Sequence, residues 1–152
     1  MKVVAESQSV GIGFRWIHQI TIAPFGPNGE TEIAAVRTPH IGGIDQFYRI
    51  EVGKLSLVAP EAGGYMSHVL RSRNLDQGVA GGFGRDGKVE FVVLPRDQMR
   101  LIRLRRVNDG IEEVLSLELE SCLTSNLSVV SLDGCRITLA VGTANGSLYV
   151  WQ

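Results

Sequence analysis

The chain has 152 residues, 44% of them apolar, and 15 basic against 16 acidic residues leave a net charge of −1 at pH 7. That length fits one domain able to bury a real core, and the apolar fraction excludes a disordered chain. The even charge balance excludes a global field drawing the protein onto nucleic acid or anionic lipid, so neither is an expected partner.

Residues 1–7 (MKVVAES) are a short apolar run that reads as one lone strand. Val3-Val4-Ala5 before Glu6 is too short for a signal-peptide core, and no apolar run approaches the ~20 residues that cross a bilayer. A cytoplasmic location is therefore expected if Met1 is the natural start. Residues 15–24 (RWIHQITIAP) alternate through Ile20 and Ile22, and residues 31–37 form a second strand beyond a Gly-rich turn. Residues 38–44 (TPHIGGI) form a loop, followed by strands at 45–52 and 54–59 joined at Gly53. These four strands make one unit, residues 15–60.

Residues 60–76 (PEAGGYMSHVLRSRNLD) are the longest connection. Strands at 77–82, 89–94, 99–107 and 111–119 then repeat the order as a second unit, residues 74–120, with Asn108-Asp109-Gly110 standing where Gly53 stands in the first. Strands at 127–132, 136–142 and 147–152 supply only part of a third unit, residues 127–152. Residues 1–7 are expected to complete it by pairing with 147–152, since Val3-Val4-Ala5 is similar to Leu57-Val58-Ala59 at the end of the first unit. With no amphipathic helical segment of useful length, the chain reads as a single all-β domain.

The units are held to one pattern by residues 23–36 (APFGPNGETEIAAV), which recur 58 residues later at 81–94 (GGFGRDGKVEFVVL). Without gaps Phe25 falls on Phe83, Gly29 on Gly87, Glu32 on Glu90 and Val36 on Leu94. A weaker third copy, 132–141, aligns Gly134 with Gly29, Ala140 with Ala35 and Val141 with Val36. Asn28-Gly29 and Asp86-Gly87 suit turns that need positive φ, and Phe25 and Phe83 read as wedges between neighbouring sheets. Cys122 and Cys135 are too few for a disulfide framework or a zinc site and read as small buried apolar residues.

These hairpins, with the RTPHIGG and VLP segments that follow them, resemble the FG-GAP or VCBS-type repeats of bacterial β-propellers over roughly two-thirds of the chain. LAVGTANGSLYVWQ is similar to the end of a WD-repeat blade. The resemblance implies antiparallel four-stranded blades, three per chain, with no long helix. Propellers normally use about four to eight blades. Two copies are therefore expected to pair about a two-fold axis as a homodimer, completing a six-bladed ring. FG-GAP-type repeats often carry a calcium loop, but its positions are Pro24, Gly26 and Asn28 in one copy and Gly82, Gly84 and Asp86 in the other. That set is too poor in oxygen ligands for calcium.

In a propeller the segments 13–18, 37–43, 65–73 and 95–98 would gather on one rim, opposite the hairpin turns. They carry the candidate binding residues Arg15, Trp16, His18, Arg37, His40, Tyr65, His68, Arg71 and Arg96. Guanidinium forks and aromatic rings suit an anionic or carbohydrate ligand, and equally a protein partner. The same residues serve as ordinary solvated loop side chains. No carboxylate or Cys is spaced to complete a zinc site with the three histidines, so no metal or cofactor is expected. Residues 100–106 (RLIRLRR) and 112–120 (EEVLSLELE) are expected to pair Arg with Glu across a hairpin. The chain lacks G-x-S-x-G, P-loop and dinucleotide fingerprints, and Ser67 beside His68 is not a dyad, since chain neighbours rarely face each other. The expectation is a non-catalytic binding or assembly module using the loop rim, with a propeller-type hydrolase or lyase acting on a carbohydrate as the alternative.

Overall fold

Alternating apolar and polar residues, broken by Gly-bearing turns, fold the chain into antiparallel sheets with no helix among the described residues. The structure is a computed structural model that describes residues 1–11, 13, 15–60, 62–131 and 136–152. The first sheet runs β1 (Ile17–Ala23), β2 (Glu32–Arg37), β3 (Ile44–Glu51) and β4 (Lys54–Leu57) as successive neighbours. The second contains β7 (Val79–Gly81), β8 (Glu90–Pro95), β9 (Arg100–Val107) and β10 (Gly110–Glu118), again in chain order. The third contains β11 (Ser128–Ser131), β12 (Ile137–Gly142) and β13 (Leu148–Trp151). No helix among the described residues is long and apolar enough to cross a membrane.

The long connection at 60–76, expected as a loop, holds two short strands. β5 (Ala62–Gly63) pairs back onto β3, and β6 (Tyr65–Met66) crosses to pair with β8, so the segment stitches the first sheet to the second.

Strand alternation sends each sheet's side chains to two faces, and the sheets stack in chain order. Phe91, Val93, Ile102 and Leu104 of the second sheet pack against Phe25, Ala34, Val36 and Phe47 of the first. Val92, Leu94 and Leu101 pack the other way, against Leu127, Leu139 and Val141. Covered on both faces, β8 is buried along its whole length. Phe25 stands edge-on to both Phe47 and Phe91, at 5.2 and 6.4 Å between ring centres, a wedge between two sheets. Phe83 packs against the second core layer. Gly29 and Gly87 take φ of 84° and 72° in their turns, a region costly for any residue with a Cβ.

A common register links the sheets. Ile33 lies opposite Tyr48, Phe91 opposite Leu104 and Leu139 opposite Trp151, flanked on the other side by Ile22, Ala80 and Val129. This register corrects the third-copy alignment by one residue. Val36 packs toward the sheet that follows it, whereas Val141 packs toward the sheet that precedes it, as Val93 does. A one-residue slip flips every side chain to the other face, so Val141 corresponds to Ala35 and Val93. Gly134 lies outside the described residues.

Glu32 and Glu90 occupy one register position and are both completely buried. Glu32 meets Arg49 of β3 at 2.5 Å and Arg106 of β9 at 3.5 Å, so Arg106 reaches from the second sheet into the first. The same Arg106 donates to the Val58 carbonyl at 2.8 Å. Glu90 meets Arg103 at 2.6 Å and is gripped by Arg105. The acidic run of β10 lies across from the basic run of β9 as expected, Glu112 opposite Arg105 and Glu118 opposite Arg100, but the close ion pairs of Arg103, Arg105 and Arg106 are made to β8 and β2. Buried carboxylates that would otherwise be unpaired hold these guanidinium groups, whereas Glu112 and Glu113 stand in solvent. In the third sheet the corresponding contact is Gln152 donating to Thr138 at 3.4 Å.

Two other expectations are corrected. Residues 1–7 do not pair with β13. Glu6 forms a parallel bridge to Lys54 and accepts from the Leu55 amide at 3.2 Å, which places the segment on the edge of β4. β4 is the edge strand of the first sheet, so the Leu55 amide is open to a further chain segment, whereas β13 lies two sheets away. Cys122 is exposed and free rather than buried, its sulfur 3.5 Å from that of Met99. Cys135 lies outside the described residues.

Candidate binding site

The first two strands meet with Ile17 opposite Arg37 and His18 opposite Val36, so Trp16 and Thr38 share one end of the sheet. There the Thr38 amide donates to the Trp16 carbonyl at 2.8 Å, and the Ile41 amide donates to the Thr38 carbonyl at 3.1 Å. This tight reversal, with Thr38 at φ 49°, carries His40 back over Trp16. The pairing of β6 with β8 draws residues 65–68 alongside. Gly43 passes so close that a Cβ there would lie 1.5 Å from the Tyr65 carbonyl oxygen, so only glycine fits.

Three connections thereby bring three rings together. The indole of Trp16 stacks on His40 with centres 4.0 Å apart and planes inclined by 16°. His68 lies 5.8 Å from Trp16 and 6.1 Å from His40, and is buried. Trp16 keeps 41% of its surface exposed, so one indole face is backed by protein while the ring remains open to solvent. The His68 Nδ1 lies 3.3 Å from the Asn74 carbonyl, which ties the loop at 69–75 beneath the cluster.

His18 points inward, its Nδ1 2.7 Å from the Ser67 hydroxyl and its Nε2 3.7 Å from Asp76. Burial lowers the pKa of His18 below the ordinary 6.5, opposed by the Asp76 carboxylate and assisted by His68. Burial also lowers that of His40, with His68 adding to the effect. Both rings are therefore neutral at pH 7. Ser67, His18 and Asp76 have the residue types of a nucleophile, base and orienting acid. Ser67 is completely buried, however, and Asp76 is 73% exposed at a loose distance, so the arrangement fixes His18 and does not present a hydroxyl to substrate.

The remaining expected site residues divide. Arg15 and Arg37 line a cleft of about 310 Å³ with Thr38 and Ile41, beside the ring cluster. The Tyr65 hydroxyl donates to Glu113, and burial and that carboxylate raise its pKa. Arg71 stands at φ 68° on an exposed turn, and Arg96 is exposed on the turn closed by the Gln98 amide donating to Pro95 at 3.1 Å. Neither makes an ion pair among the described residues.

Sequence reasoning missed Ser67 as the partner of His18, because the signal drew the eye to its neighbour His68. It also missed Asp45, which is completely buried with neither carboxylate oxygen hydrogen-bonded, and whose pKa burial raises well above the ordinary 3.8. Among the described residues no group of three or more His, Cys, Asp or Glu is placed to hold a metal ion. A separate groove of about 480 Å³ lies on the outer face of the first sheet, lined by Ile17, Ile20, Ile22, Ile33, Tyr48 and Leu55. No protein family, curated protein or solved structure matches the chain.

Proposed function

We propose that the chain is a non-catalytic binding module, its three stacked sheets being blades of a β-propeller and its ligand held at the loop end on the Trp16–His40–His68 cluster. What supports the blade reading is the shared register of the three meanders and their face-to-face order along the chain. The observation that carries the binding reading is the half-open indole of Trp16, stacked at 4.0 Å on a neutral His40. An aromatic ring fixed in this way gives a large contact surface at little cost in side-chain entropy, and it suits a sugar ring or a protein side chain. Arg15 and Arg37 beside it would favour an anionic group on the ligand.

Indole fluorescence tests this directly, in titrations with charged oligosaccharides and acidic peptides. Binding should be lost in Trp16→Ala and weakened about tenfold in His40→Ala, a loss on the order of 1.4 kcal/mol, while both variants stay folded. A glycan array and peptide panel in which neither substitution alters any signal would sink the reading. The alternative, a hydrolase or lyase acting on a carbohydrate, draws on the contact of His18 with Ser67 and Asp76. It predicts turnover that His18→Ala abolishes, and the burial of Ser67 weighs against it.

A further inference from the structure

The two ends of the stack carry apolar faces, and the interior of the molecule shows what such faces fit. In register, Ile33 and Tyr48 on the outer face of the first sheet correspond to Phe91 and Leu104 of the second, both 1% exposed because that face lies on the first sheet. At the other end, Leu148 and Val150 point away from the core at 72% and 58% exposure. By strand pairing Val150, opposite Ala140, corresponds to Phe47, opposite Ala34. Phe47 and Phe91 meet edge to face at 5.4 Å inside the stack. The third sheet thus presents outward the side that the first sheet presents to the second, and the first sheet presents outward the side with which the second receives it.

We propose that two copies of this chain close on each other, the outer face of the third sheet of one seated on the outer face of the first sheet of the other, Val150 against Ile33. The two contacts are the same and form together about a two-fold axis, so both apolar ends are covered and growth stops at two. The proposal rests on the reading of the sheets as propeller blades. The groove of about 480 Å³ on the receiving face is mostly apolar, with Ser7, Gln19 and Thr21 among its lining, and gives Leu148 and Val150 an apolar surface to pack on.

Light scattering coupled to size exclusion on the full chain should give twice 16.6 kDa. Ile22→Lys and Val150→Glu, both at exposed positions that leave the fold intact by circular dichroism, should each halve the mass. An equimolar mixture of the two should regain the doubled mass, since one contact is then unaltered and the other pairs Lys with Glu. A monomer of the unaltered chain at all concentrations, open-ended growth, or a dimer that survives both substitutions would each overturn the proposal. Trp16→Ala should leave the mass unchanged, so failure of the rim reading and failure of the pairing are read separately.

Discussion

The second sheet and the first are built on one register, yet they bury it differently. Phe91 and Leu104 are shut off from solvent because the first sheet lies on their face, while Ile33 and Tyr48 at the same positions are half-buried on an outer face. At these matched positions burial follows the residue's place in the stack and not its place in the strand. The charged positions follow the same rule. Glu32, in the first sheet, is completed by Arg106 from its neighbour, whereas Glu90 is held by its own sheet's Arg103 and Arg105.

The largest test of that difference is truncation at matched positions. Phe91→Ala should cost about 3–5 kcal/mol of unfolding free energy, the usual loss for an aromatic deleted from a closed core. Ile33→Ala should cost only about 1 kcal/mol at high dilution, with a further, concentration-dependent loss if a second copy covers that face. Equal losses by urea titration would break the comparison.

Comparable in size is the carboxylate pair of positions. Glu90→Ala should lose about 3–5 kcal/mol, because it removes the buried partner of both Arg103 and Arg105 and leaves Arg105 only the more exposed Asp86, at 2.9 Å. Thr138→Ala, at the corresponding site of the third sheet, should lose about 0.5–1.5 kcal/mol, the worth of one neutral hydrogen bond.

Asp45 gives an effect of opposite sign. Its native carboxyl holds a proton to higher pH than the unfolded chain's, so stability is fullest below the ordinary carboxylate value of 3.8 and declines as pH rises toward the native value. Asp45→Asn should therefore raise stability at pH 7 by about 1–3 kcal/mol and flatten that decline. A stability–pH curve unchanged by the substitution would contradict this.

The smallest effect belongs to the histidines. With native pKa values below 6.5, His18 and His40 bind fewer protons folded than unfolded, so stability is level above pH 6.5 and falls as pH drops from there through the native values. His18→Asn should remove part of that slope, measured as urea midpoint between pH 5 and 7.5, about a pH unit or more to either side of the ordinary value.

Much of this was legible in the chain. Period-two alternation and Gly-bearing turns located the strands of the first two sheets within a residue or two, as at 54–59 for Lys54–Leu57. The recurrence of Phe25 as Phe83 marked the inter-sheet wedge. The segments carrying Trp16, His18, His40 and His68 were picked out together, because meander connections alternate between the two ends of a sheet.

The sequence by itself determined the strand positions, the turns and the apolar faces, since these depend on side-chain alternation and on backbone conformations that a few residues dictate. Only the tertiary structure decided which neighbour each face and charge would meet. Arg105, with Glu112 across from it on β10, reaches instead to Asp86 and, with Arg103, to the buried Glu90, where the penalty for leaving a carboxylate unpaired is largest. Residues 1–7, expected on the edge of the third sheet, lie on β4 of the first, and His18 found Ser67 at 2.7 Å across 49 residues of chain. Long-range pairing of this kind is chosen by packing and desolvation, which no local pattern records.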